Sequence, residues 1–372
     1  MLIGVPREIK TQEFRVGMTP SAAREAVAHG HHVLIETQAG AGIGASDNDY
    51  RNAGAEVANS ADEVFAKAEL MVKVKEPQAV ERRMLRENQV LFTYLHLAPD
   101  PEQTRDLMNS GAICIAYETV TAVGGRLPLL APMSEVAGRM SIQCGAHCLE
   151  KSTGGMGALL GGIPGVAPAR VVILGAGTVG THAAQMAVGT GAQVVVIDKS
   201  LEALRHIDAA FNGRVMTVFS NRDNIEREVS RADLVVSGVL IPGGAAPKLI
   251  SRATLSKMKP GAVIVDVAID QGGSVETSRP TTHADPTYVV DRVVHYMVTN
   301  MPGAVPRTST YGLNNATLPF TLAIADKGWR KALRDDPHLM NGLNVAAGRI
   351  TCEAVAGALE LDYVPPHTVI RL

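Results

Sequence analysis

Four positions in this 372-residue chain carry side chains able to hold an anion or move a proton, and each stands at the end of an apolar run. Leu70–Val74, which contains Lys73, is followed by Lys75-Glu76-Pro77. Val90–Leu95 ends on His96, and Ala262–Ile269 ends on Asp270. The first apolar run, Leu2–Val5, leads into a loop from Arg7 to Arg15 bearing five charges of both signs. In a parallel sheet ligands bind beyond the carboxyl ends of the strands, so these are the places to look for chemistry. Arginine and lysine hold carboxylates through charge-assisted hydrogen bonds. Histidine can exchange protons near neutral pH. An aspartate can stabilise a cationic imine and orient the water that attacks it. Plainer roles compete at every position. His96 could cap or pack a strand end, Arg15 could be solvated, and Asp270 could open the turn at Gln271-Gly272-Gly273. Lys73 and Lys75 lie two residues apart, hence on one face of a strand, and periodicity does not choose between them.

The passage Val171–Asp198 indicates which partner such groups would serve. An apolar run enters Gly175-Ala176-Gly177-Thr178-Val179-Gly180, a helix-like stretch follows, and a second apolar run ends on Asp198. Gly175 permits the tight turn, Gly177 lets backbone approach a pyrophosphate, and Gly180 lets helix pack on strand. The helix N-terminus offers unpaired N–H groups to phosphate. Asp198 is placed to accept from a ribose 2′-hydroxyl, and its charge favours NAD over NADP. With a nicotinamide nearby, the strand-end residues suit a reaction on an amino acid, which needs a held carboxylate, proton management and a presented Cα.

Further elements must position these groups. Hydrophobic residues make up 46% of the chain and charged residues 19%, enough for about two domains with real cores. Ahead of the fingerprint lie short, unalternating apolar runs (Leu2–Val5, Val33–Ile35, Leu70–Val74, Val90–Leu95, Ile113–Ala116) separated by helix-like stretches. That pattern predicts a parallel sheet covered on both faces. Thr19-Pro20 reads as a helix start and Gly30 as its stop. Ser134 reads as the N-cap of a helix running to about Lys151, and Gly154–Gly165 as a flexible surface hairpin. Strands are expected at Leu234–Val239 and Ala262–Ile269. From about Thr317 the pattern turns helical, through FTLAIADKGWRKAL and NVAAGRITCEAVAGALEL. The expected class is α/β, with two doubly wound Rossmann-type domains separated by a cleft. Residues 1–130 plus 310–372 would form the substrate domain and 131–309 the dinucleotide domain.

The formal charge of −2, from 35 basic and 37 acidic side chains, lacks the footprint of a nucleic-acid binder. No apolar run nears the ~20 residues of a membrane span, and the N-terminus lacks a signal-peptide pattern, so a cytoplasmic protein is expected. Cys114, Cys144, Cys148 and Cys352 read as reduced thiols, and no metal site is expected.

VPREIKTQEFRVGMTP, MVKVKEP, YLHLAP, APMSEVAGRMS, the glycine fingerprint and DVAIDQGG together resemble the L-alanine dehydrogenase family, in register over essentially the whole chain. The resemblance implies reversible oxidative deamination of L-alanine to pyruvate and ammonium with NAD, in a homohexamer. It makes Arg15 and Lys75 the substrate-binding pair, so selecting Lys75 over Lys73, and His96 and Asp270 the catalytic residues. Around the cofactor it implicates Ser134, Thr178, Val179, Asp198, Ser220, Val239, Leu240, Val267, Ala268, Ile269, Asp270, Arg279, Val298, Asn300 and Met301, besides Gly175, Gly177 and Gly180. One departure is Ala203, where a basic residue often follows the ribose-binding aspartate; Arg205 is close by. The implied course has Arg15 and Lys75 clamping the carboxylate, an iminium ion beside Asp270, addition of water, proton shuttling by His96, and domain closure over the substrate. The nearest rival is an NAD(H)-binding module of a proton-translocating transhydrogenase, which has no amino-acid substrate. A further rival is an NAD-responsive binding module without turnover.

Overall fold

The computed structural model describes residues 1–239 and 246–370. They form two compact units, residues 1–133 with 305–372, and residues 134–304. In the first unit, strands β1 (Leu2–Val5), β2 (His32–Glu36), β3 (Glu56–Ala58), β4 (Leu70–Val72), β5 (Val90–Thr93) and β6 (Ile113–Ala116) are parallel, in the order β6-β5-β4-β1-β2-β3. An antiparallel hairpin, Leu343–Ala346 and Arg349–Ile350, extends the sheet beyond β6. Strands β4, β5 and β6 are buried at every residue, as the absence of apolar–polar alternation requires. The order reverses between β1 and β4. Ligands bind beyond the strand ends at such a switch point, and here those ends carry the Arg7–Arg15 loop and Lys73-Val74-Lys75.

In the second unit β7 (Arg170–Leu174), β8 (Gln193–Asp198), β9 (Val215–Phe219), β10 (Leu234–Ser237), β11 (Val263–Asp266), β12 (Thr287–Val290) and β13 (Val293–Tyr296) take the order β12-β13-β11-β10-β7-β8-β9. All pairs are parallel except the edge pair β12–β13. Here the order reverses between β7 and β10, so the glycine turn after β7 sits at this unit's switch point. Both units are α/β with parallel-dominated sheets.

Several local elements follow their sequence signals. The helix Pro20–Ala28 starts with the Thr19 hydroxyl accepting from the Ala22 amide at 3.2 Å and ends before Gly30 at φ +86°. Others depart. The helix expected from Ser134 spans Ala131–Cys148, so Ser134 lies inside it and is no N-cap. Pro132 is tolerated there because a first-turn amide needs no partner. The run Ala262–Ile269 is a strand only as far as Asp266, whose carboxylate accepts from the Ala268 amide at 3.1 Å and turns Val267–Gln271 into a 3₁₀ segment. The late helix begins at Pro306, and Pro319 sits within its 22 residues. NVAAGRI is a hairpin and not helix, because Ala347 (φ +51°) and Gly348 (φ +70°) form a two-residue left-handed turn. In Gly154–Gly165 the expected surface hairpin is present at its end, where exposed Ile163 pairs antiparallel with Val166. Its start is packed: a Cβ on Gly155 would lie 2.3 Å from the Cys148 carbonyl oxygen, and one on Gly161 2.3 Å from that of Thr190. Strand β3, short and at an edge, was not foreseen.

Candidate active site

The strand ends at the switch point of the first unit carry the predicted basic residues and give them different duties. Lys73 is fully buried, its ammonium 2.7 Å from Glu81 Oε1 and 3.1 Å from Glu8 Oε2. Burial alone would lower its pKa, but the two carboxylates outweigh that and hold it charged. Lys73 is therefore committed to an internal ion triad. Glu8 also accepts from the Val74 amide at 2.7 Å, which pins the chain entering Lys75. The Lys75 side chain makes no hydrogen bond among the described residues. Burial pushes its pKa down, and the like charges of Arg15 and Lys10 act the same way against the opposing pull of Glu76. A half-buried ammonium held near a second cation is a site awaiting an anion.

That second cation is no solvated loop residue. Arg15 is 2% exposed and forms a bidentate pair with Glu13, Nε to Oε1 at 2.6 Å and Nη2 to Oε2 at 2.6 Å. Burial opposes its charge, yet Glu13 overrides this and raises the pKa. Its Nη1 reaches the Met133 sulfur at 3.1 Å.

His96 follows β5 in a left-handed conformation, φ +50°, with its ring exposed. The ring stacks on Tyr94 with centroids 5.8 Å apart, and the Tyr94 hydroxyl donates to the Leu129 carbonyl. Burial raises the Tyr94 pKa, and the nearby Arg15 charge opposes it. Glu118 accepts from the His96 amide at 2.6 Å, and its Oε1 lies 4.0 Å from the imidazole Nδ1. Sequence reasoning named Arg15, Lys75 and His96 but missed Glu13, Tyr94, Glu118 and Met133. Glu13 had a signal, two residues from Arg15 in the same charged loop. Glu118 and Met133 are remote in sequence and had none.

In the second unit a cavity of about 480 Å³ lies over the switch point. Ser134, Gly175, Gly177, Thr178, Val179, Asp198, Ser220 and Val239 line it. Gly175 takes φ +99°, which only glycine adopts freely. A Cβ on Gly180 would sit 1.8 Å from the Gly175 carbonyl oxygen, so that position demands close packing. A Cβ on Gly177 would meet nothing within 4 Å. Gly177 thus borders open space at the start of the helix Thr178–Gly189, which has no side-chain cap. This cradle fits a pyrophosphate with its charge on the helix N-terminus. Asp198 accepts from the amides of Ala176 and Ser200, each at 2.7 Å. Its oxygens keep lone pairs for a ribose hydroxyl while bracing the glycine turn.

Other residues singled out in this unit lie off that wall. Asp270 is exposed within the Val267–Gln271 segment, whose Ala268 and Ile269 are buried. Asp266 organises this segment by also accepting from Ser274 N at 2.7 Å and Ser278 Oγ at 2.9 Å. Arg279 packs its guanidinium 4.0 Å from the centroid of Tyr288. Val298 and Met301 are buried, and Asn300 takes φ +56°. Leu240 lies outside the described residues.

Two dinucleotide-type α/β units, one with a glycine cradle and one with paired cations beside an imidazole, define a two-domain nucleotide-linked oxidoreductase class. Residues 4–137 match the family model "Alanine dehydrogenase/PNT, N-terminal domain", and residues 141–353 match "Alanine dehydrogenase/PNT, C-terminal domain". An alanine dehydrogenase from Halomonas elongata is 59% identical over 370 residues, covering 100% of both chains. A solved L-alanine dehydrogenase superposes with a TM-score of 0.94 at 53% identity, covering 97% of this chain and 99% of that one. A transhydrogenase from Sinorhizobium meliloti shares the fold, at TM-score 0.81 and 22% identity, covering 95% of this chain and 100% of that one. The chain belongs to the alanine dehydrogenase/PNT family.

Proposed function

We propose that this chain is an NAD-dependent L-alanine dehydrogenase that reversibly converts L-alanine to pyruvate and ammonium. The observation that carries the reading is the cation pair, buried Arg15 with half-buried Lys75, at a sheet switch point whose next strand carries the Tyr94-stacked imidazole of His96. Arg15, rigid on Glu13, and Lys75 hold the substrate carboxylate; two such donors supply charge and direction together. Gly175, Gly177 and Thr178 hold the pyrophosphate, Asp198 the ribose, and Ser134, Ser220 and Val239 the rest of the dinucleotide. When bound, NAD supplies the hydride acceptor for Cα. Asp270 offsets the positive charge of the substrate iminium. The substrate ammonium first loses one proton to solvent, which is the net proton the oxidation releases. His96 then takes a proton from the attacking water and gives it to the amine nitrogen. It relays the carbinolamine hydroxyl proton to the departing ammonia as ammonium, so the ring ends the cycle as it began. For these roles His96 and Asp270 must reach the same carbon, which a ternary complex with NAD and pyruvate tests.

The decisive assay is NADH oxidation with pyruvate and ammonium, separately and together. Turnover that needs both supports the proposal. NADH binding without turnover favours the transhydrogenase-type or non-catalytic module, which the fold alone allows. His96→Ala is expected to abolish turnover while leaving NADH affinity intact, and near-wild-type turnover would remove His96 from the scheme. We further propose a cytoplasmic homohexamer. Light scattering on the eluted protein at six chain masses supports that assembly, and a smaller mass overturns it.

A further inference from the structure

We infer that Glu118 is the positioning residue that holds His96 in its strained backbone conformation and orients the imidazole with Nε2 toward the substrate. The inference rests on His96 being the acid/base of the proposed reaction. Two consecutive amides, Leu95 and His96, converge on this one carboxylate: Leu95 N lies 3.2 Å from both oxygens and His96 N 2.6 Å from Oε1. Successive amides turned toward one point form an anion-binding nest, and that geometry needs a residue in the left-handed region. His96 supplies it at φ +50°, a conformation a residue with a Cβ keeps only where its surroundings impose it. The charged acceptor does so here through bonds stronger than neutral ones.

The same carboxylate acts on the ring. Glu118 Oε1 lies 4.0 Å from Nδ1, so its charge favours a proton on that nitrogen and leaves the Nε2 lone pair free. One face of the ring is set against Tyr94, itself tied to Leu129, so the imidazole is fixed by a plane and an edge. Glu118 comes from the Tyr117–Thr119 turn after β6, whereas His96 follows β5. The neighbouring strand thus aims the catalytic loop. The titratable groups facing this arrangement are Glu118 and the Tyr94 phenol at the ring, with the Cys352 thiol within the field of Glu118.

Glu118→Gln keeps an oxygen acceptor for the amides and removes the charge, and Glu118→Ala removes both. General acid–base catalysis contributes about 10²–10⁴-fold, so partial loss of aim is expected to cost Glu118→Gln roughly tenfold or more in kcat, with Glu118→Ala losing more. KM for pyruvate and NADH affinity are expected to stay within about twofold, since neither ligand is held by Glu118. Nitrogen-15 spectra of the His96 ring are expected to show the neutral tautomer shifting from Nδ1–H toward Nε2–H. Wild-type kcat and an unshifted ring tautomer in Glu118→Gln overturn the inference. So does a fall in kcat matched by equal losses in melting temperature and NADH binding. Should Glu118→Ala fail to fold, Glu118→Gln alone decides. If His96→Ala retains turnover, the failure belongs to the proposed function instead.

Discussion

Lys73 and Lys75 stand two residues apart, and the structure predicts opposite consequences for losing each. Lys73→Met strands Glu8 and Glu81 in a fully buried site, because the ammonium at 3.1 and 2.7 Å is the cation that balances them. Removing one partner from a buried ion pair costs about 3–5 kcal/mol. At roughly 2–4 °C per kcal/mol for a domain of this size, melting is expected to fall by ~6–20 °C. Lys75→Met removes an ammonium that makes no hydrogen bond among the described residues, so melting is expected to hold or rise slightly. Its cost appears in turnover: a lost charge-assisted hydrogen bond of ~1.5–3 kcal/mol lowers kcat/KM for pyruvate roughly 10- to 150-fold. Thermal melts and NADH-oxidation kinetics on both variants read the two effects separately. Adding Glu81→Gln to Lys73→Met is expected to recover part of the lost stability, since the two sites share one electrostatic network. A Lys73→Met protein with unchanged melting and a raised KM would show that Lys73, and not Lys75, is the substrate ligand, and would refute the assignment.

Three further outcomes are expected. Gly180→Ala, whose Cβ would lie 1.8 Å from the Gly175 oxygen, lowers melting temperature and NADH affinity together, whereas Gly177→Ala, facing open space, keeps wild-type melting and loses about tenfold or more in NADH affinity. Equal melting losses in the two variants would count against the cradle. Because burial lowers the Lys75 pKa below 10.5, the folded state binds fewer protons there than the unfolded state between the two values. Stability from this residue therefore rises with pH across that window, while KM for pyruvate rises as the ammonium discharges; urea melts and kinetics in alkaline buffers check both, and a KM flat up to pH 10.5 contradicts it. Asp198→Ala frees the Ala176 and Ser200 amides, so it should weaken NADH binding and lower stability by ~1–2 kcal/mol, and a variant of wild-type stability would limit Asp198 to the ribose.

Much of the fold was legible because its signals are local. The strand runs β1, β4, β5, β6, β7, β8 and β10 are continuous apolar stretches between helices, which is how a two-faced parallel sheet must read. The glycine turn was legible because each glycine answers a steric demand within a few residues, as Gly180 does against Gly175. Errors fell where a distant or conformational cause overrode composition. NVAAGRI looked helical from its alanines, yet Ala347 and Gly348 take left-handed backbone. Ser134 looked like a cap, yet the helix starts three residues earlier at Ala131.

The sequence by itself determined the two α/β units, the dinucleotide turn with its acidic terminus, and the candidate set Arg15, Lys73 or Lys75, His96 and Asp270. Those features depend on spacing along the chain. Only the tertiary structure decided which lysine is free, because alternation places Lys73 and Lys75 on one face while Glu8, 65 residues away, and Glu81 claim the first. It alone brought the Arg15 charge near Tyr94 and Glu118 beneath the His96 backbone. Charges separated in sequence meet only when strand order is set, and burial then fixes which of them keep a partner.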